Sequence, residues 1–255
     1  MRTASGRFVT QVGTLALAMA LVAGALAPAN AKKANDLKSR GAELAFRWAP
    51  NEGGPTDATD ALATLGIKEK KEADHYRVTY LTVEHFPVLP GFCSILRQRH
   101  SASDGEYELT LKFRGDSPLP TPAATNGWAC PLDAGGKLKN EVDITVLADK
   151  VLKKYSRSCS VEANNAPPPV PSGFGATLEQ HKSTMIRHKA DGYDIEEWHL
   201  PDGSVVVEVS AKGLGDANQI ASFRTFVTNR LISKGAKPLL ANKSESSAYR
   251  PKKPR

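Results

Sequence analysis

Two-residue alternation of apolar and polar side chains dominates this sequence, and it restricts the chain to a fold built mainly from antiparallel strands. From Glu43 to Trp48, Leu44, Phe46 and Trp48 fall on one face, with Glu43 and Arg47 on the other. The same period recurs around Tyr76–Leu81, Cys93–Arg99, Glu106–Arg114, Lys137–Val146, Lys182–Lys189, Tyr193–Leu200 and Ser204–Lys212. Asp104-Gly105 and Pro201-Asp202-Gly203 mark tight turns between neighbouring strands. The period becomes helical in two places. Thr56 or Asp57 can cap a helix that runs through Leu65 and stops at Gly66. Ile220, Phe223, Val227 and Leu231 form an apolar stripe in a second helix, which begins at Asp216 and ends at Gly235. The expectation is seven or eight antiparallel strands with two or three helices, in the α+β class.

The polar faces of these strands are charged rather than neutral. Arg97 shares a face with Arg99, Lys112 with Arg114, Lys139 with Glu141 and Asp143, Arg187 with Lys189, and Glu208 with Ser210 and Lys212. Two arrangements satisfy this pattern. In a sandwich or lipocalin-like barrel the charged face meets solvent. In a closed barrel it lines the lumen, and helices such as the one after Asp216 cover the apolar outside. Inward Arg and Lys would need counter-anions, because unpaired buried charge costs several kcal/mol. Phosphate oxygens suit Arg, and carboxylates beside them suit a divalent metal.

The chain has 255 residues and a formal net charge of +7. Arg2 and Arg7, the apolar run Val12–Leu26 and the Ala29-Asn30-Ala31 site read as a signal peptide over residues 1–31. The expected location is periplasmic or secreted. No later segment is apolar enough to form a transmembrane helix. In an oxidising compartment one disulfide is expected, and Cys130–Cys159 is the preferred pair because both cysteines adjoin loop-like sequence. Residues 116–126 and 163–175 are proline-rich loops, and residues 250–255 form a basic disordered tail. No P-loop, GxSxG, HExxH or nucleic-acid motif is present, so nucleic acid is not an expected partner.

The ordered segments resemble the CYTH family, the triphosphate tunnel metalloenzymes. The similar pieces are Leu96-Arg97-Gln98-Arg99, Leu109-Thr110-Leu111-Lys112, Lys139-Asn140-Glu141-Val142-Asp143-Ile144, Trp198-His199-Leu200-Pro201-Asp202-Gly203 leading into Val207-Glu208-Val209-Ser210, and Asn242-Lys243-Ser244. The resemblance spans residues 40–249 as a single domain. It implies a closed or nearly closed eight-stranded antiparallel tunnel with flanking helices. It also implies that Arg47, Arg97, Arg99, Lys112, Arg187 and Lys243 bind phosphate, and that Glu43, Glu141 and Glu208 act at a Mg2+ or Mn2+ ion. The chain departs from the family pattern twice. Ala45 stands where the opening Glu-x-Glu-x-Lys signature has its second carboxylate, with Arg47 in place of its lysine. Ser210 replaces a carboxylate after Glu208.

Three functions follow as expectations. The first is an exported phosphohydrolase acting on triphosphate or inorganic polyphosphate with one divalent metal. The second is an inactive relative that keeps the basic tunnel as a polyanion binder. The third is an unrelated envelope β-domain whose charged face lies in solvent.

Overall fold

The computed structural model describes residues 41–69, 71–87, 89–118, 130 and 135–241. The signal segment, the basic tail and Lys243 lie outside these residues, as does most of the loop after Asp116. Nine strands form one closed barrel in the order β1-β5-β6-β4-β3-β2-β7-β8-β9. They are β1 (Gly41–Trp48), β2 (Asp74–Val83), β3 (Phe92–Ser101), β4 (Tyr107–Gly115), β5 (Lys137–Val146), β6 (Val151–Ala163), β7 (Thr177–Ala190), β8 (Tyr193–His199) and β9 (Val205–Gly213).

This count corrects the eight expected, and β6 is the addition. Its inward positions Ser156, Ser158 and Ser160 are small hydroxyls, and Arg157 interrupts its outward face, so the strand shows no clean apolar alternation. Cys159 lies within this strand, and the Cys130–Cys159 disulfide forms as expected. Every strand pair is antiparallel except β1 with β5, which pair in parallel and close the barrel.

Helices cover one outer wall. Helix α1 (Ala58–Leu65) starts where the Asp57 side chain accepts from the Asp60 amide, and it ends where Gly66 adopts a left-handed conformation. Helix α2 (Ala217–Phe223) begins at the Asp216 cap. It continues through a π-helical turn, Arg224–Thr228, into α3 (Asn229–Ser233). In that turn Thr228 Oγ1 donates to the Val146 carbonyl at 3.0 Å, and Arg224 Nε donates to the Leu147 carbonyl at 2.8 Å. These bonds tie the helical segment to the end of β5. Phe223, Val227 and Leu231 pack with Ala61 and Leu65 onto Leu44, Phe46, Ile144, Val207 and Val209. The apolar strand faces therefore point outward and are buried beneath helices. A second outer cluster, Leu81, Leu96, Leu109, Leu111 and Phe113, is covered by Leu89 and Phe174 from loops.

The opposite faces point into the barrel. Part of this interior is apolar: Tyr80, Ile95, Met185, Trp198 and Val206 pack together. They share strand parity with Arg97, Arg187, Glu196 and Glu208, so they fill the inside beneath the charged residues. Leu239 packs against this plug, and its amide donates to the Arg47 carbonyl at 2.8 Å.

Leu231 is fully buried where α3 meets the barrel wall. The Leu231→Ala variant should lose about 2–5 kcal/mol of stability. Denaturant unfolding checks this, and a loss near zero would contradict the packing described.

Candidate functional site

Alternation and barrel closure bring the charged faces together around a cavity of about 340 Å3. Eight basic and seven acidic side chains line it, with Tyr80 and Ile95 at its apolar floor. Five of the six sequence-predicted phosphate ligands are present: Arg47, Arg97, Arg99, Lys112 and Arg187. The three predicted carboxylates Glu43, Glu141 and Glu208 also line it. Arg114, Lys139, Lys212, Glu108, Asp143 and Glu196 join them. Strand parity placed most of these on the same faces, but their pairing across strands had no local signature.

Seven of these eight cations are matched within the protein, which a reading of the basic residues alone did not anticipate. Glu108 accepts from Arg97 at 2.9 Å and from Arg99 at 3.2 Å. Asp143 accepts from Arg114 at 2.8 Å and from Lys112 at 3.3 Å. Glu208, fully buried, pairs with Arg47, its register partner across β1 and β9. Glu141 pairs with Lys139. At the edge of the cavity Asp74 accepts from Arg187 at 3.0 Å and from Lys71 at 2.9 Å. The guanidiniums of Arg99 and Arg187 lie 5.0 and 4.7 Å from the centre of the Tyr76 ring, which holds both in place.

These contacts set the ionisation of the lumen. Burial pushes the Asp143 carboxyl up, but Lys112 and Arg114 outweigh it and hold the group well below the usual carboxylate range. Burial likewise raises Glu108, and Arg97 and Arg99 bring it down below its ordinary value. Burial and the Arg114 charge lower Lys112, against the opposing pull of Asp143. Not every donor is satisfied: the Nε atoms of Arg97 and Arg187 are buried without a hydrogen-bond partner among the described residues. Two buried guanidinium N–H groups are therefore available to an oxyanion.

Glu43, Glu141 and Asp143 can each offer a carboxylate oxygen, with these oxygens all within 4.8 Å of one another. Glu43 and Asp143 are register partners across the parallel β1–β5 pair, and Glu141 is two residues along the same face. A hard, all-oxygen donor set of this size fits a divalent cation of the Mg2+ or Mn2+ type. A further observation supports the fit, because Asp143 Oδ1 is buried without a hydrogen-bond partner among the described residues. Glu208 stands apart from this trio against Arg47, with Glu196 as its register neighbour. Ala45 and Ser210, the two positions without expected carboxylates, pair directly with each other across β1 and β9, and both are buried. Their loss therefore empties one spot on the wall rather than thinning the acidic set evenly.

The chain resembles the CYTH family. It shares the closed barrel with a charged lumen that this resemblance implies. No protein-family model matches the chain, and no curated protein matches it. Among solved structures it is similar to a Hippeastrum protein described as a candidate adenylyl cyclase with a dominant triphosphatase activity. The identity is 12%, the TM-score is 0.45, and the match covers 81% of this chain and 93% of that one. It is also similar to a Vibrio parahaemolyticus protein described as a candidate adenylate cyclase, at 9% identity and a TM-score of 0.43, covering 80% and 95%. A Pyrococcus horikoshii protein matches at 12% identity and a TM-score of 0.43, covering 80% and 98%. These likenesses concern overall chain path, and the functional reading rests on the lumen itself.

The depressed Asp143 and Glu108 carboxyls make stability depend on acid. Each group binds its proton more weakly folded than unfolded, so its stabilising contribution is complete above the ordinary carboxylate range. It is lost as pH falls through that range, roughly pH 4, towards the folded values. The melting temperature should be flat from pH 7 to about pH 5 and fall below that, and Asp143→Asn should fall less steeply. Equal slopes for the two proteins would contradict the lumen pairing.

Proposed function

We propose that this protein binds a linear phosphate chain, tripolyphosphate or short inorganic polyphosphate, inside the barrel and hydrolyses it with one divalent cation. The observation that carries the reading is the convergence of Arg97, Arg99, Lys112 and Arg187 with the Glu43, Glu141 and Asp143 carboxylates in one cavity. Arg97 and Arg99 offer planar, multidentate donors to successive phosphoryl groups, and Lys112 adds a compact charge. Ser158 and Ser160 line the same wall and can donate to phosphate oxygens. Glu43 and Glu141, with Asp143, would hold the cation, Mg2+ or Mn2+. Such an ion lowers the pKa of bound water and offsets charge on the phosphoryl oxygens.

The balance of charge supports an anion accompanied by a metal. The lumen is close to neutral on its own, so an added dication leaves it positive, and a polyphosphate chain then restores neutrality. Glu208 serves this site by fixing Arg47 rather than by joining the acidic trio. Lys243, beyond the described residues, would complete the basic set according to the resemblance.

A second reading is an inactive polyanion binder. It is favoured by Ala45 and Ser210, which leave their shared part of the wall without a carboxylate. Turnover separates the two readings.

Export to the periplasm or exterior belongs to the same proposal. It rests on Arg2, Arg7, the Val12–Leu26 run and Ala29-Asn30-Ala31. The Cys130–Cys159 disulfide supports an oxidising compartment. Cytosolic triphosphates are scarce there, which favours inorganic polyphosphate as the ligand. Among the described residues no helix is long and apolar enough to cross a membrane.

The purified protein should bind tripolyphosphate in calorimetry and release phosphate from it with Mg2+ or Mn2+. The Arg97→Ala/Arg99→Ala double variant should bind at least roughly 100-fold more weakly, because it removes several charge-assisted hydrogen bonds. Unchanged affinity in that variant would refute binding in the lumen. Binding without phosphate release under either metal would establish the second reading.

A further inference from the structure

Asp143 belongs to both halves of this lumen, and it holds two of the cavity's cations, Lys112 and Arg114. Its Oδ2 takes the cationic side: Arg114 Nε at 2.9 Å and a terminal guanidinium nitrogen at 2.8 Å, with Lys112 Nζ at 3.3 Å. Its Oδ1 is buried and has no hydrogen-bond partner among the described residues. The residue as a whole is 9% exposed. The same residue is in register with Glu43 and joins it and Glu141 in the acidic trio. Glu141, also in the trio, holds only the half-exposed Lys139. Glu108 holds Arg97 and Arg99 but lies outside the trio, and Glu208 holds Arg47 outside it too.

A carboxylate has one negative charge to divide between its two oxygens. A divalent cation on one oxygen draws that charge towards itself and weakens the attraction of the other for nearby ammonium and guanidinium groups. Lys112 and Arg114 would then be held less tightly by the protein and become better partners for an anion. By reciprocity, an anion that draws these two cations away leaves Asp143 a stronger cation ligand.

We propose that Asp143 is a positioning residue that couples divalent-cation binding to phosphate binding, making each ligand raise the affinity for the other. This inference rests on the reading that the lumen binds a phosphate chain. It goes further by assigning the coupling to one side chain and by predicting its sign.

The test is calorimetric titration of tripolyphosphate into the full chain, once in EDTA and once in Mn2+, corrected for Mn2+–tripolyphosphate association measured without protein. In the wild type Mn2+ should tighten anion binding by roughly tenfold. In Asp143→Asn the anion should bind more tightly than to wild type in EDTA, and Mn2+ should add no more than about twofold. Glu108→Gln is the control for charge alone. It should also tighten anion binding in EDTA, yet keep the wild-type enhancement by Mn2+. A second variant stands independently of whether Asp143→Asn folds. In Lys112→Met, Mn2+ alone should bind at least about threefold more tightly, because Asp143 has lost a competing cation. Undiminished Mn2+ enhancement in Asp143→Asn, or unchanged or weaker Mn2+ binding in Lys112→Met, would overturn the proposal. Failure of the wild type to bind tripolyphosphate under either condition would overturn the functional reading itself, and this inference with it.

Discussion

Charged side chains can line the inside of a closed barrel only when each finds a partner there, because an uncompensated ion away from water costs several kcal/mol. The pairing of Arg97 and Arg99 with Glu108, of Lys112 and Arg114 with Asp143, and of Arg47 with Glu208 meets that requirement. The rest of the architecture follows from it. Strands that turn their charges inward must turn Leu44, Phe46, Ile144 and Val209 outward, and these surfaces need the cover that α1, α2 and α3 provide. The interior cannot be charged throughout, and Met185, Trp198 and Val206 fill the part that the ion pairs do not.

A lumen neutralised from within differs from a simple basic tunnel. A bare cluster of arginines would bind almost any polyanion through net charge. Under the proposed reading an incoming phosphate would have to compete with carboxylates that already hold the cations, so geometry and an accompanying metal would matter more than bulk charge. The Ala45–Ser210 pair narrows the site in the same direction. With no carboxylate at either position, the acidic residues close enough to share an ion are confined, among the described residues, to Glu43, Glu141 and Asp143.

Much of this was legible in the chain. Alternation marked eight of the nine strands, and the cap candidates Thr56 or Asp57, of which Asp57 is the cap, and Asp216 marked the helix starts. It also identified Arg97, Arg99, Lys112 and Arg187 as residues sharing charged faces. Strand β6 was not legible, because Ser156, Ser158 and Ser160 present hydroxyls where the pattern would need contrast. The approach of Glu43 to Asp143 was not legible either. It depends on the parallel β1–β5 register, and a contact between residues so far apart in sequence leaves no local periodicity. Parity also could not separate Trp198 and Met185 from the charged positions on the same inward faces, since alternation reports the side of the sheet and not the depth within the barrel.

The most direct test of the central claim is a crystal structure of the protein with tripolyphosphate and Mn2+, using anomalous scattering to locate the metal. The account predicts one Mn2+ bound by Glu43, Glu141 and Asp143, with the phosphate chain running along Arg97, Arg99 and Lys112. An empty lumen, with the anion on the outer surface or the metal bound elsewhere, would contradict it.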